Sequence, residues 1–187
     1  MTFWIIVAVV AAIALYVIFL YNRLVRTRQM SEEAWSGIDV QLKRRSDLIP
    51  NLVDTVKGYA AHERGVFEEV TELRNQARAA PPGDVAGRAK IEGALSMALG
   101  RLLAVAEAYP DLKANQNFLE LQRELSTLES EIQMARRYYN GAVRNLNTMV
   151  QAFPSNLVAS QFSFEEREYF EIEEPSDRGV PKVSFQT

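Results

Sequence analysis

"RRSDLIPNLVDTVKGYAAHE", Arg44 to Glu63, is the stretch on which the fold turns. Its apolar residues keep helical spacing on both sides of Pro50, a residue that removes a backbone donor and clashes with the preceding turn when placed inside a helix. Two readings compete. The apolar phase nearly carries across from Leu42 through Ile49 to Leu52, which fits a kink in one long helix. Alternatively, Ser46 or Asp47 caps a new helix whose first turn accepts Pro50, because amides there have no intrahelical partner. An interior proline costs ~3 kcal/mol and the turn avoids most of it, so we take the turn. The expected count is then four long helices.

Upstream, Trp35, Ile38 and Leu42 mark one helical face, and no glycine or proline separates Ser36 from the N-terminal region. That region holds "FWIIVAVVAAIALYVIFLY", Phe3 to Tyr21, without one charge. At ~1.5 Å per residue the run covers a hydrocarbon core of ~30 Å. Trp4 and Tyr21 stand at its two ends, where aromatic rings suit the headgroup interface. A secretory signal peptide is disfavoured, since no Lys or Arg precedes the run and it exceeds a typical signal core. Arg23, Arg26 and Arg28 follow it directly. The positive-inside rule therefore predicts the N-terminus outside and the domain in the cytoplasm.

Downstream, Leu52, Val53, Val56, Val66, Val70, Leu73 and Ala77 continue at helical spacing. "AAPPGDVAG", Ala79 to Gly87, supplies turn chemistry. A third helix reads through Ile91, Leu95, Ala98, Leu102 and Val105, up to "YPD" at Tyr109. From about Leu112 to Ala152 runs the strongest periodic signal. Phe118, Leu125, Ile132, Tyr139, Leu146 and Phe153 recur every seven residues, with Leu121, Leu128, Ala135, Ala142 and Met149 between them. Such a seam predicts knobs-into-holes packing against the chain's own neighbouring helices.

Beyond Phe153 the composition changes. Residues 154–187 carry Pro154, Pro175 and Pro181, an excess of Glu and the aromatics Phe162, Phe164, Tyr169 and Phe170. A short helical turn around Phe164 to Phe170, docked on the bundle, is expected, followed by an extended end in which "KVSFQT" is a weak strand signal. The organisation reads as an all-α chain: a transmembrane anchor over 1–21, an antiparallel four-helix bundle with long helices over 22–153, and an acidic, aromatic C-terminal segment.

Composition narrows the function. A net charge of −3 and a pI near 5.4 argue against a nucleic-acid binder, which carries a basic balance. The absence of cysteine removes disulfides, thiolate ligands and a cysteine nucleophile. A di-iron bundle site needs two Glu-x-x-His motifs, whereas this chain has His62 alone with Tyr59 three residues before it. No cofactor or metal is expected, and no catalytic group converges on His62, which reads as a surface residue. Lys43, Arg44 and Arg45 read as a solvated turn, while Arg23, Arg26 and Arg28 are placed to meet anionic lipid. Tyr139 reads as core with its hydroxyl satisfied locally. Tyr138 with Asn140, Asn145 and Asn147 forms a band that reads as helix surface, with a recognition role as the lesser alternative.

With its segments placed, the sequence resembles the LemA family of bacterial membrane proteins. The likeness rests on "YNRLV" at Tyr21, "AWSGIDVQLKRRSDLIPNLVDTVKGYAAHE" at Ala34, "RRYYNGAVRNLN" at Arg136 and "FPSNLVA" at Phe153, with "REYFE" and "PKVSF" in the tail. It implies an N-terminal membrane helix, a short external N-terminus and a cytoplasmic antiparallel four-helix bundle, without a settled molecular function. The expectation is a non-catalytic scaffold of the cytoplasmic membrane that meets the lipid bilayer and forms homo-oligomers. The alternative is a regulatory adaptor for a membrane protease or envelope-stress machinery, with a membrane-protein partner.

Overall fold

The computed structural model describes residues 1–81 and 83–171; the strand signal at "KVSFQT" lies outside them. All regular structure among the described residues is helical. The elements are α1 (Thr2–Lys57), α2 (Arg64–Ala79), α3 (Val85–Glu107), α4 (Pro110–Lys113), α5 (Gln116–Gln151) and α6 (Ser155–Gln161).

The proline turn does not form. α1 runs unbroken through Pro50, and Ser46 and Asp47 are interior helical residues rather than caps. Asp47 instead pairs with Lys43 one turn earlier at 2.9 Å, and that hydrogen bond, opposed by desolvation and aided by the charges of Lys43, Arg78 and Arg74, holds its carboxyl below the usual carboxylate range. Continuity wins because the buried phase does not change at the proline: Leu42, Ile49, Leu52 and Val56 are all buried on one stripe. The first long helix ends later, at Gly58. There the amide of Ala60 still bonds the Val56 carbonyl at 2.9 Å, and buried Ala60 pins the turn. His62 is exposed in this connection.

The remaining boundaries follow local chemistry. Gly83 takes φ +94°, a left-handed value that disfavours a side chain, and Asp84 caps α3 by accepting from the Gly87 amide at 2.8 Å. Pro110 opens the single turn of α4. Asn115 caps α5 by accepting from the Phe118 amide at 3.1 Å.

The chain divides into two compact units. The first comprises Met1–Gln41 and Ser130–Tyr169; the second comprises Leu42–Glu129 with the described residues from Phe170. In the second, α1, α2, α3, α4 and α5 all contribute to one core that includes Ile49, Leu52, Val70, Leu102, Leu112 and Leu128. In the first, Leu20, Leu24, Met149, Val158, Ala159 and Phe164 form a core from α1, α5, α6 and the strap after it. Residues 164–171 are not helical, contrary to the helical turn expected there. The Arg167 amide and carbonyl and the Glu168 carbonyl find side-chain partners on α5 instead.

Candidate functional site

The apolar run is the exposed part of α1: from Phe3 to Phe19, every residue but the half-buried Val17 is exposed, and the stretch is long and apolar enough to cross a membrane. Trp4 is exposed near its start, and Tyr21 at its end makes edge contacts with Phe162 and Phe164, ring centroids 4.9 and 5.8 Å apart. Arg23, Arg26 and Arg28 are exposed on the following turns. Arg28 also places its guanidinium 5.2 Å from the Phe164 ring centre, a cation–π contact.

The α5 seam falls in both units. In the second, Phe118, Leu125 and Leu128 are buried and Leu121 is half-buried; in the first, Ile132, Tyr139, Leu146 and Met149 are buried. The heptad ends before Phe153, because α5 stops at Gln151 and leaves that ring 79% exposed.

Asn147 does what an opposing peptide group would do. Its amide donates to the Arg167 carbonyl at 2.9 Å and its carbonyl accepts from the Arg167 amide at 2.9 Å. Two turns back, the Tyr139 hydroxyl donates to the Glu168 carbonyl at 3.0 Å while its ring packs 5.4 Å from that of Trp35. The Arg167 guanidinium reaches Glu32 of α1 at 2.6 Å. The strap at 165–169 is thus held to α5 by backbone-directed bonds and to α1 by the Arg167–Glu32 ion pair. Burial raises the Tyr139 phenol; the nearby Arg167 opposes this and Glu168 adds to it. Tyr138, one residue earlier, faces outward.

In the second unit, Arg45 is not in a solvated turn. Among the described residues it is the largest fully buried side chain, 0% exposed. One terminal nitrogen donates to Ser96 Oγ at 2.7 Å and Glu129 Oε1 at 2.6 Å; the other donates to the carboxylate and carbonyl of Glu92, the latter at 3.3 Å. Arg88 Nε closes the cluster on the second Glu92 oxygen at 2.8 Å. Two cations and two carboxylates from α1, α3 and α5 therefore balance. Burial alone would lower the Arg45 pKa, but the charges of Glu129 and Glu92 and their hydrogen bonds outweigh it and raise the pKa instead. Arginine keeps its proton in any case, so the cluster is a fixed ionic joint rather than a proton-transfer site. Glu129, one residue past the Leu128 seam position, is one of its two acids.

The sequence signal for Arg45 was its phase. Leu24, Ser31, Ile38, Arg45 and Leu52 recur every seven residues along α1, and all five are buried. One residue on, the Ser46 carbonyl, which Pro50 deprives of its amide partner, accepts from Arg74 Nε of α2 at 2.8 Å.

The assembly has recognisable relatives. Magnetosome protein MamQ 2 of Paramagnetospirillum magneticum is 27% identical over 199 residues, spanning 94% of this chain and 73% of that protein. Magnetosome protein MamQ of Magnetospirillum gryphiswaldense is 24% identical over 184 residues, spanning 86% of this chain and 68% of its own length. Protein LemA of Metamycoplasma hominis is 28% identical over 140 residues, or 75% of this chain and 64% of that one. The sequence model of the LemA family matches residues 34–185. That span begins beyond the exposed apolar run and takes in the Arg45 cluster, the Ser46–Arg74 bond and the Asn147 clasp. The chain belongs to the LemA family.

Proposed function

We propose that the protein is a non-catalytic scaffold of the bacterial cytoplasmic membrane, anchored by residues 1–21 with its N-terminus outside. Its long helices α1, α2, α3 and α5 form an antiparallel bundle on the cytoplasmic side, and its function is exercised by self-association. The observation that carries this reading is α1 itself, whose lipid-length apolar surface passes without a break into the stripe of buried residues on which both units are built. A single helix with those two uses ties a folded domain to a bilayer. Self-association is supported by Met134 and Tyr138, one turn apart on α5 and 54% and 57% exposed, which leave apolar surface outside the membrane run.

Light scattering of the full chain in mild detergent tests the proposal. A multimer that persists on dilution, and dissociates when Met134→Glu and Tyr138→Glu are combined, is the expected result. A monomer at every concentration would overturn self-association and favour the adaptor reading.

A further inference from the structure

The first unit carries a second apolar surface beside the end of the membrane run. α6 does not pack at a distance from that run: Val158 and Ala159 share a core with Leu20 and Leu24, with Val17 packed against it. Val17 and Leu20 are the last turn of the apolar stretch, so α6 lies at the height of that turn. Phe162 confirms the level, its ring meeting Tyr21 at 4.9 Å. While Val158 and Ala159 face inward, Leu157 of this short element and the residues flanking it, Phe153 and Phe162, keep large apolar surface open, Leu157 and Phe162 being 62% and 51% exposed. Three large apolar residues exposed together call for a partner.

The charge pattern identifies it. In a chain of which 24% of residues are charged, none occurs from Asn145 to Phe164. Arg144 and Glu165 bound this run in sequence, and on α1 charges resume after the apolar stretch at Arg23, Arg26 and Arg28. A neutral zone with outward Phe and Leu, continuous with a lipid-length helix and bordered by exposed arginines, has the make-up of an element lying in a membrane interface. We propose that Phe153, Leu157 and Phe162 form a second lipid contact, entering the headgroup and upper acyl region of the leaflet that surrounds Tyr21. The anchor is then a helix with a collar rather than a bare span. This rests on the reading of residues 1–21 as a membrane span.

The lack of native cysteine makes the test direct. Ile13→Cys, Met97→Cys, Leu157→Cys and Phe162→Cys, all at exposed positions, are each labelled with a fluorophore in the full chain. The proteins are reconstituted into phosphatidylcholine–phosphatidylglycerol vesicles containing lipids with a nitroxide either near the headgroup or deep in the acyl chain. Labels at 157 and 162 should lose most fluorescence to the shallow nitroxide and less to the deep one. The label at 13 should show the reverse order, and that at 97 should respond only to a water-soluble quencher. If the labels at 157 and 162 behave like that at 97 while the label at 13 is quenched by lipid, the collar is overturned and the span stands. If they escape both lipid and aqueous quenchers, a second copy of the chain covers the patch and the collar is equally overturned. Failure of the label at 13 to respond to either nitroxide overturns the span, and the collar with it.

Discussion

Arg74 Nε of α2 donates to the Ser46 carbonyl of α1 at 2.8 Å, at the carbonyl that Pro50 leaves without an amide. The proline sits inside a continuous helix, and the acceptor it releases is used by a neighbouring helix instead of being wasted. A buried carbonyl without a partner costs about 1–3 kcal/mol, so the arginine removes much of the penalty of an interior proline. Pro50 thereby converts one intrahelical bond into a link between α1 and α2.

Pro50→Ala supplies the missing amide, which competes with Arg74 for the Ser46 carbonyl. The variant should be more stable by about 1–3 kcal/mol, the cost of an interior proline less the bond already regained. Arg74→Ala should destabilise the protein more in the presence of Pro50 than of alanine, with a coupling of about 1 kcal/mol in a double-mutant cycle of denaturant midpoints. Additive effects would break the assigned connection between the two residues.

The Arg45 cluster gives a graded expectation. Glu92 is buried and bonded to two arginines, whereas the Glu129 side chain is 36% exposed and solvent can replace part of its contribution. Glu92→Gln leaves Arg45 with inadequate compensation in the core and should cost roughly 3–5 kcal/mol. Glu129→Gln should cost about 1 kcal/mol, after allowance for solvent screening. Arg45→Met, which removes the buried cation instead of isolating it, should be less harmful than Glu92→Gln. Thermal melts of the domain would show this order, and equal midpoints for the two glutamine variants would refute it.

Sequence periodicity reaches elements whose environment follows from their own spacing: along α5, Phe118, Leu125, Leu128, Ile132, Tyr139, Leu146 and Met149 are buried, while Leu121 is half-buried and Phe153 exposed. Arg45 shows where it stops. Its position on the seven-residue phase of Leu24, Ile38 and Leu52 was readable, but its charge placed it with Lys43 and Arg44, because the acids that neutralise it lie on α3 and α5. Pro50 failed for a related reason: local cost favoured a turn, while the compensating donor, Arg74, belongs to another helix. A short helical turn was expected around Phe164 to Phe170, because the segment holds too many aromatics for a solvated tail. Its fastening to Asn147 and Tyr139 depends on partners that no local pattern reveals.

The proposed orientation rests on Arg23, Arg26 and Arg28, which lie beyond the Tyr21 end of the run. With the positive flank retained inside, a phosphatase fused after Thr187 should be inactive and a cytoplasmic fluorescent reporter at the same place should glow. Replacing all three arginines by glutamine should weaken this bias and produce a mixed population. An active phosphatase in the unaltered chain would reverse the assignment.

The strap should loosen in alkali. Burial raises the Tyr139 pKa above its ordinary value of 10.0, while in the unfolded chain the phenol ionises near that value. Between the two pKa values the folded protein holds a proton that the unfolded chain has lost. The contribution is therefore present in full below pH 10 and declines as pH rises through the folded pKa. Ionisation also removes the donor to the Glu168 carbonyl. Tyr139→Phe should cost on the order of 1 kcal/mol near neutrality through that lost bond, and should flatten the fall in stability above about pH 10. Tyr138, outward-facing one residue away, supplies the control for the lost bond: Tyr138→Phe should leave the neutral stability nearly unchanged. Denaturant midpoints measured across that range, with phenolate absorbance followed in parallel, would separate the two residues. An identical slope in the Tyr139→Phe variant and the parent would show that the clasp does not respond to this phenol.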